Sequence, residues 1–265
     1  MGLIAGKRRL ARAALVCLAS AAAFAACGGG GLFGKIYEYE EDLYISLDGS
    51  ADVIVNASLP ALATLRGLEV DTDPAAAVDR DRIRALYESP VTEVTRVSRP
   101  WRRNGRTFVQ VRVSVDDIRR LSDARPFGWS KYELAGSDTE YMFRQVVGPS
   151  AHRPGTLQNV GWNGSEVVAF RVHFPSRILD HNARDLETDV PSDIARGNIL
   201  AWEQRLADRL DGQPVSILVK MDPQSILYRT LWLFAGAFGS AVLLLVAVVW
   251  WFKRKGVRQS TASSN

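Results

Sequence analysis

Residues 231–252 read LWLFAGAFGSAVLLLVAVVWWF, contain no charged side chain, and are followed directly by the basic residues KRK at 253–255. At a rise of about 1.5 Å per residue, a helix of this length extends roughly 33 Å, which is enough to cross the hydrocarbon core of a bilayer. Aromatic side chains, which favour the membrane interface, lie near both ends: Tyr228, Trp232, Trp250 and Trp251. We therefore predict a transmembrane helix over 231–252, preceded by a juxtamembrane linker at 223–230.

The basic cluster after the span predicts the orientation of the chain. Lys and Arg are enriched in cytoplasmic segments next to a membrane span, so residues 253–265 are expected to form a cytoplasmic tail. Almost the whole chain precedes the span and is expected to lie outside the cytoplasm. The predicted localisation is a single-pass protein of the bacterial inner (cytoplasmic) membrane.

The N-terminus carries a second targeting signal. Basic residues begin at Lys7, a small-residue apolar segment follows, and residues 24–28 read FAACG, which is typical of a signal peptide that ends at a lipobox. We expect residues 1–26 to be removed and Cys27 to carry fatty acyl groups such as palmitate, with residues 27–34 as a Gly-rich tether. The alternative is an uncleaved N-terminal anchor. A doubly anchored domain cannot extend far from the bilayer, since eight residues span at most about 28 Å.

The charge balance argues against nucleic acid as a partner. The formal net charge is +4, but eight of the 33 basic residues belong to the signal and the tail. The 25 that remain oppose 29 acids, so the outer domain is close to −4. The two cysteines, Cys17 and Cys27, both precede the outer domain, which therefore holds together without a disulfide or a cysteine-based site.

The outer domain, residues 35–222, shows mainly β-strand patterns. Asp48-Gly49 and Asn104-Gly105 are hairpin signals between alternating segments, and Pro60 is expected to stop the second strand. Helical patterns are short; they fall at 79–88 and after Asp116 or Asp117. Eight or nine strands with two or three short helices predict an α+β fold, mainly antiparallel. The strands are expected at 43–47, 51–55, 91–97, 109–115, 129–134, 140–147, 168–174, 198–206 and 215–221.

No catalytic motif is evident, and we expect no enzyme activity, no cofactor and no bound metal. The best group of donor side chains is the segment 180–189, which includes Asp180, His181 and Asp185. It lacks the glycine and the ligand periodicity of a calcium loop, so a solvated acidic loop is the preferred interpretation. The alternative function is a metal-dependent hydrolase centred on this segment.

Charge is segregated along the domain. Eleven acids but only two arginines lie in 38–81, whereas nine arginines lie in 96–125. Arginine forks beside an exposed Trp suit anionic lipid headgroups. The candidate residues are Arg99, Trp101, Arg102, Arg103 and Arg106. The alternative is that these arginines pair with the acidic N-terminal sheet or are simply solvated.

The span itself contains small residues at a helical spacing. Gly236 and Ser240 form a small-xxx-small pair, which permits close helix packing. The predicted partners are therefore membrane lipids, and self-association or a membrane-protein partner through the span is a further possibility.

The order of these parts resembles the LppM-like bacterial lipoproteins. The residues that carry the resemblance are Leu47-Asp48-Gly49-Ser50, Val115-Asp116-Asp117-Ile118, Asn182, and Asn198-Ile199-Leu200-Ala201-Trp202. The resemblance implies a β-rich outer domain with a C-terminal anchor. It also implies an envelope protein that contacts lipids or glycolipids and is not an enzyme.

Overall fold

The computed structural model describes residues 34–152 and 160–262. The predicted signal peptide, 1–26, and the predicted lipidation site, Cys27, lie outside these residues. The described chain contains eleven strands: β1 (Tyr37–Ile45), β2 (Ala51–Ser58), β3 (Glu93–Val97), β4 (Trp101–Arg103), β5 (Arg106–Val115), β6 (Ser130–Gly136), β7 (Tyr141–Val147), β8 (Val167–His173), β9 (Ser176–His181), β10 (Ile199–Arg205) and β11 (Val215–Ser225). The α-helices are α1 (Leu59–Arg66), α2 (Arg80–Tyr87), α3 (Leu206–Leu210) and α4 (Ile226–Ala262), and 3-10 turns occupy Ile118–Asp123 and Arg125–Phe127.

Two sheets make up the domain. The larger has seven strands in the order β10-β8-β1-β2-β5-β3, with β4 also paired to β5, and the smaller has the order β6-β7-β11-β9. Within the described chain, every pair of neighbouring strands is antiparallel except β1 with β8. The predicted α+β class with mainly antiparallel strands is confirmed.

The predicted turns form as the sequence indicated. Gly49 adopts φ 95° between β1 and β2, and Asn104 and Gly105 adopt φ 51° and 74° between β4 and β5. Left-handed backbone at both central residues matches the twist of a two-residue hairpin, which explains the choice of Asn-Gly there. The helix predicted at 79–88 is α2, capped by the side chain of Asp79.

The prediction for Pro60 was incomplete. This residue does follow β2, but it lies in the first turn of α1, where a missing N–H costs nothing. Ser58 Oγ accepts the N–H of Ala61 to cap the helix, and Gly67 ends it with φ 63°. Two strands were not predicted: the three-residue strand β4 and the strand β9 directly after Pro175. The short helix α3 was not predicted either.

One apolar core lies between the sheets and the short helices. Alternate residues of β5, namely Val109, Val111, Val113 and Val115, are buried against α1 and the 3-10 turns. Phe143 and Val219 contribute from the smaller sheet. All buried apolar residues of the described chain fall between Tyr39 and Met221. The outer domain therefore holds its core without α4.

The strand register places the β4–β5 turn and the start of α4 at opposite ends of the large sheet. Tyr37, at the start of β1, lies at the same end as the β4–β5 turn, because β1 and β5 are both antiparallel to β2. His173 pairs beside Tyr44 at the other end, and Pro175 there accepts the N–H of Ile226, the first residue of α4. At about 3.3 Å per residue, β1 separates these two ends by roughly 25 Å.

Helix α4 continues directly from β11. Its segment Ile226–Trp251 is long and apolar enough to cross a membrane, with mean hydropathy 2.3 and none of it buried in the protein. The predicted linker at 223–230 is thus divided between the end of β11 and the first turn of α4.

Candidate functional site: the Trp101 hairpin

Residues 99–106, which we call the Trp101 hairpin, project from the end of the large sheet farthest from α4. Trp101 pairs with Phe108 across the strands, and the two rings stack with centroids 5.8 Å apart at 23°. Phe108 is buried, whereas Trp101 remains 38% exposed. The buried ring therefore fixes the orientation of an indole that stays accessible at the surface.

Three exposed arginines, Arg99, Arg102 and Arg103, lie within two residues of Trp101 in the hairpin. Arg102 donates to the carbonyl of Pro74, and Arg103 donates to the carbonyl of Tyr37. Arg103 also lies over the ring of Phe108, 4.8 Å from its centroid. Arg99 has no hydrogen-bond or ion-pair partner among the residues described. Carbonyl contacts orient a guanidinium without neutralising its charge, so these side chains retain donors for an anion.

Arg106 belongs to the interior and not to this exposed group. It is 6% exposed, and its guanidinium contacts Glu38 through Nη2 at 2.7 Å and Nε at 2.8 Å. Its Nη1 donates to the carbonyls of Val160 and Gly161. A buried arginine with this set of partners positions the N-terminal strand, and we remove Arg106 from the headgroup-binding candidates.

The nine arginines of 96–125 thus divide into two groups. Four pair with carboxylates: Arg106 with Glu38, Arg119 with Asp117, Arg120 with Asp123, and Arg125 with Glu69. The other five form no ion pair within the described chain: Arg96, Arg99, Arg102, Arg103 and Arg112. The alternative of pairing with the acidic segment therefore describes only part of the cluster.

The segment 180–189 uses its polar groups locally. Asp180 and His181 form the end of β9, paired with β11, and Arg184 contacts Asp189 at 2.8 Å. Asp185 Oδ1 accepts from the backbone and hydroxyl of Thr188. His181 Nδ1 is buried and has no hydrogen-bond partner within the described chain. No group of three or more His, Cys, Asp or Glu side chains comes together among the described residues as a metal site, so the hydrolase alternative gains no support.

A buried polar cluster that the sequence did not predict lies between the two sheets. Glu41 is fully buried and accepts from Tyr39 at 2.8 Å, Tyr132 at 3.1 Å and Gln145 at 3.2 Å. Arg66 lies 3.7 Å from the same carboxylate. Burial raises the pKa of Tyr39 and Tyr132 well above the ordinary value, so both hydroxyls keep the protons that they donate. Glu41, an acidic residue within the strand β1, was the only feature of the sequence that indicated this cluster.

Aromatic rings complete the surroundings of Arg66. Its guanidinium lies 3.7 Å from the centroid of Trp129, and the rings of Tyr39 and Phe127 are at 5.2 Å and 5.6 Å. Arg209, also fully buried, lies 5.1 Å from the Trp129 ring, and burial lowers its pKa to about 10. Cation–π contacts of this kind stabilise buried guanidinium groups, and for Arg66 they stand in for hydrogen bonds, since none of its guanidinium nitrogens has a hydrogen-bond partner among the described residues.

Comparison with known proteins leaves the family of the chain open. No protein-family model matches it, and no curated protein matches it. Among solved structures, it is similar to the folded domain of the LppM protein of Mycobacterium tuberculosis, determined by NMR. The alignment has a TM-score of 0.38 and 14% identity, and it covers 75% of this chain and 98% of that one. A likeness at this level supports no conclusion about function.

Proposed function

We propose that this chain is a membrane-anchored, extracytoplasmic lipoprotein of the bacterial envelope and that its outer domain binds anionic lipid headgroups without catalysis. The observation that carries the proposal is the Trp101 hairpin, where an exposed indole stands beside arginines that form no ion pair within the part of the chain that the structure describes. An indole favours the interfacial region of a bilayer, and arginine forks bind phosphate oxygens through charge-assisted hydrogen bonds. The two properties together fit a headgroup better than a soluble anion.

The two proposed anchors support a particular orientation. Helix α4 leaves the domain at one end of the large sheet, whereas the N-terminal tether enters at Tyr37, beside the Trp101 hairpin. Ten residues separate Cys27 from Tyr37, and an extended chain of that length reaches about 35 Å. With both anchors in one bilayer, the strands lie along the membrane surface. This orientation places the Trp101 hairpin within reach of the headgroups.

The proposed topology follows from the basic tail. Residues 253–265 lie in the cytoplasm and the outer domain lies on the far side of the inner membrane, by the positive-inside rule. The span offers Gly236 and Ser240 for contact with a second helix. Ser240 Oγ donates to the Gly236 carbonyl at 2.8 Å, which leaves this face small and suited to close packing.

Charge reversal within the hairpin tests the proposal. The variant Arg102→Glu/Arg103→Glu, made in residues 35–225, is expected to lose co-sedimentation with vesicles that contain phosphatidylglycerol. The matched control is Arg119→Glu/Arg120→Glu, which makes the same change of charge at an exposed site outside the hairpin. Circular dichroism monitors folding in each variant. Equal binding by wild type and the hairpin variant would refute the proposal, and so would equal losses in both variants.

The indole is tested separately. Trp101→Ala is expected to weaken vesicle binding by a similar factor at low and at high salt, because the ring contributes through burial and salt screens only the arginines. A loss that disappears at high salt would instead mean that the ring only positions the arginines.

A further inference from the structure

A second basic surface lies beside the Trp101 hairpin, between α2 and β3. It is an open groove of about 770 Å³ lined by Arg80, Arg84, Thr95, Arg96, Val97, Ser98 and Arg99. Four of these seven residues are arginines and none is an acid. We refer to it as the arginine groove.

The two helical arginines are held in fixed positions. Arg80 and Arg84 are four residues apart on α2 and therefore share one face of the helix. Arg80 Nη2 donates to the Val97 carbonyl at 2.9 Å, and Arg84 Nη1 donates to the Val94 carbonyl. Each guanidinium thus bridges the helix to the strand with one nitrogen and keeps its remaining N–H groups for a ligand.

The strand is irregular at the same place. Val94 pairs with Val113 and Arg96 pairs with Arg112, so Thr95 and Arg96 together oppose a single step of β5. A bulge of this kind redirects side chains, and here it leaves both Thr95 and Arg96 exposed. An undistorted strand would turn one of them toward the core.

The four arginines of the groove lie outside ion-pair distance of the carboxylates in the described chain. The nearby Asp79 carboxylate is used by the backbone N–H groups of Asp81 and Arg82 at the start of α2, and Glu88 accepts from the Val94 N–H. Like charges gathered in one groove repel each other, and a polyvalent anion removes that repulsion.

We propose that the arginine groove binds a phosphate-type anion, with Arg80 and Arg84 as pre-oriented donors and with Arg96 and Arg99 closing on the ligand from the strand. Ser98 adds a hydroxyl, which accepts from the Gln110 N–H and still has its own proton to donate. The shared chemistry is a phosphate group with several unesterified oxygens, supplied by a soluble phosphate compound or by a phosphomonoester headgroup. This site shares Arg99 with the Trp101 hairpin but does not include the indole, Arg102 or Arg103, so it does not depend on their role.

The test measures the binding of inorganic phosphate and pyrophosphate to the full chain in phosphatidylcholine nanodiscs by calorimetry. Arg96→Gln is the primary variant, because this side chain has no hydrogen-bond partner in the described protein and its loss leaves the fold intact. The expected result is an affinity for pyrophosphate lower by about tenfold or more, the effect of removing one charge-assisted hydrogen bond. Arg84→Gln/Arg96→Gln is expected to lower it further. The matched control, Arg112→Gln on the neighbouring strand, is expected to bind as the wild type does.

A second arm separates the two sources of the ligand. In nanodiscs that contain phosphatidic acid, a groove filled by headgroups gives weaker apparent pyrophosphate binding, and Arg96→Gln abolishes this competition. A groove that takes only soluble anions keeps its affinity, and either result supports the site. Absence of phosphate and pyrophosphate binding in phosphatidylcholine discs would overturn the inference, as would equal losses in Arg96→Gln and Arg112→Gln. Arg102→Glu/Arg103→Glu should leave pyrophosphate binding measurable, which keeps failure here distinct from failure of the proposed lipid contact.

Discussion

The buried pair of Arg66 and Glu41 allows a quantitative prediction. Their side chains are 1% and 0% exposed and lie 3.7 Å apart. At an effective dielectric constant of about 20, two unit charges at that distance attract by roughly 4.5 kcal/mol. We therefore expect Arg66→Met to destabilise the outer domain by about 3 to 5 kcal/mol, the usual effect of leaving one buried charge alone.

The partner variant completes a double-mutant cycle. Glu41→Gln keeps one of the two oxygens that accept from Tyr39 and Tyr132. It also leaves the Arg66 cation with only aromatic rings around it, so it should destabilise the domain as well. In Arg66→Met/Glu41→Gln neither charge remains, and most of the loss should be recovered because neutral side chains of similar volume replace buried pairs at little cost.

Urea unfolding of residues 35–225, followed by circular dichroism, measures all four proteins. For a domain of this size, a loss of about 1 kcal/mol lowers the melting temperature by roughly 2–4 °C, so Arg66→Met should also melt clearly earlier. Two results would contradict the reasoning: a loss below about 1 kcal/mol in Arg66→Met, or a double variant as unstable as the sum of the single variants.

Three further predictions concern other parts of the molecule. Gly67→Ala should destabilise the domain by about 1 to 2 kcal/mol, because the C-cap of α1 is left-handed and a Cβ there would lie 3.1 Å from Ala151. Gly34→Ala is the control, since a Cβ at that position would have nothing within 4 Å. Equal urea midpoints for the two variants would contradict the prediction. Burial lowers the pKa of His173; Asp42 opposes this shift, whereas Arg171 and Arg196 reinforce it. The unfolded chain therefore binds the proton first as the pH falls, and the stability of the domain should decrease from about pH 6.5 downward until the folded imidazole also titrates. His173→Phe, which retains a ring against Tyr44, should remove this dependence of stability on pH, and an unchanged dependence would exclude the imidazole as its source. Green fluorescent protein fused after residue 265 should fluoresce, because the proposed topology places this end in the cytoplasm. Alkaline phosphatase fused at the same point should be inactive, and its activity would refute the proposed topology.

Local elements were the most predictable part of this fold. Asp48-Gly49 and Asn104-Gly105 identify their hairpins because left-handed backbone restricts the residue choice. The helix α1 was missed even though its signals are present: Ser58, Pro60 and Gly67 are a cap, a first-turn proline and a terminating glycine. Pro60 was interpreted only as the end of a strand, since the apolar residues that follow show no polar face.

Pairings between distant segments could not be predicted. Nothing in the residues of β1 indicates that it lies parallel to β8, because buried strands have no sequence code for their neighbours. The same limit applies to the candidate sites. The sequence places Arg106 beside Trp101, but only the sheet shows that it turns inward to Glu38. The arginine groove needs both the α2 spacing and the β3 bulge, and only the first is visible in the sequence.

The parallel pairing of β1 with β8 constrains how the domain would fold during the export that we propose. For a chain exported N-terminus first, Tyr37 emerges long before Val167, its neighbour in the sheet. The smaller sheet cannot be completed until β11, the strand directly before α4, has also emerged. The hairpins β1–β2 and β6–β7 can form early, but the edge of β1 that pairs with β8 stays open during most of translocation, because contacts between such distant segments form slowly. Folding of the outer domain should thus finish only as α4 enters the bilayer, and nascent chains stalled before that point should require an envelope chaperone or be degraded.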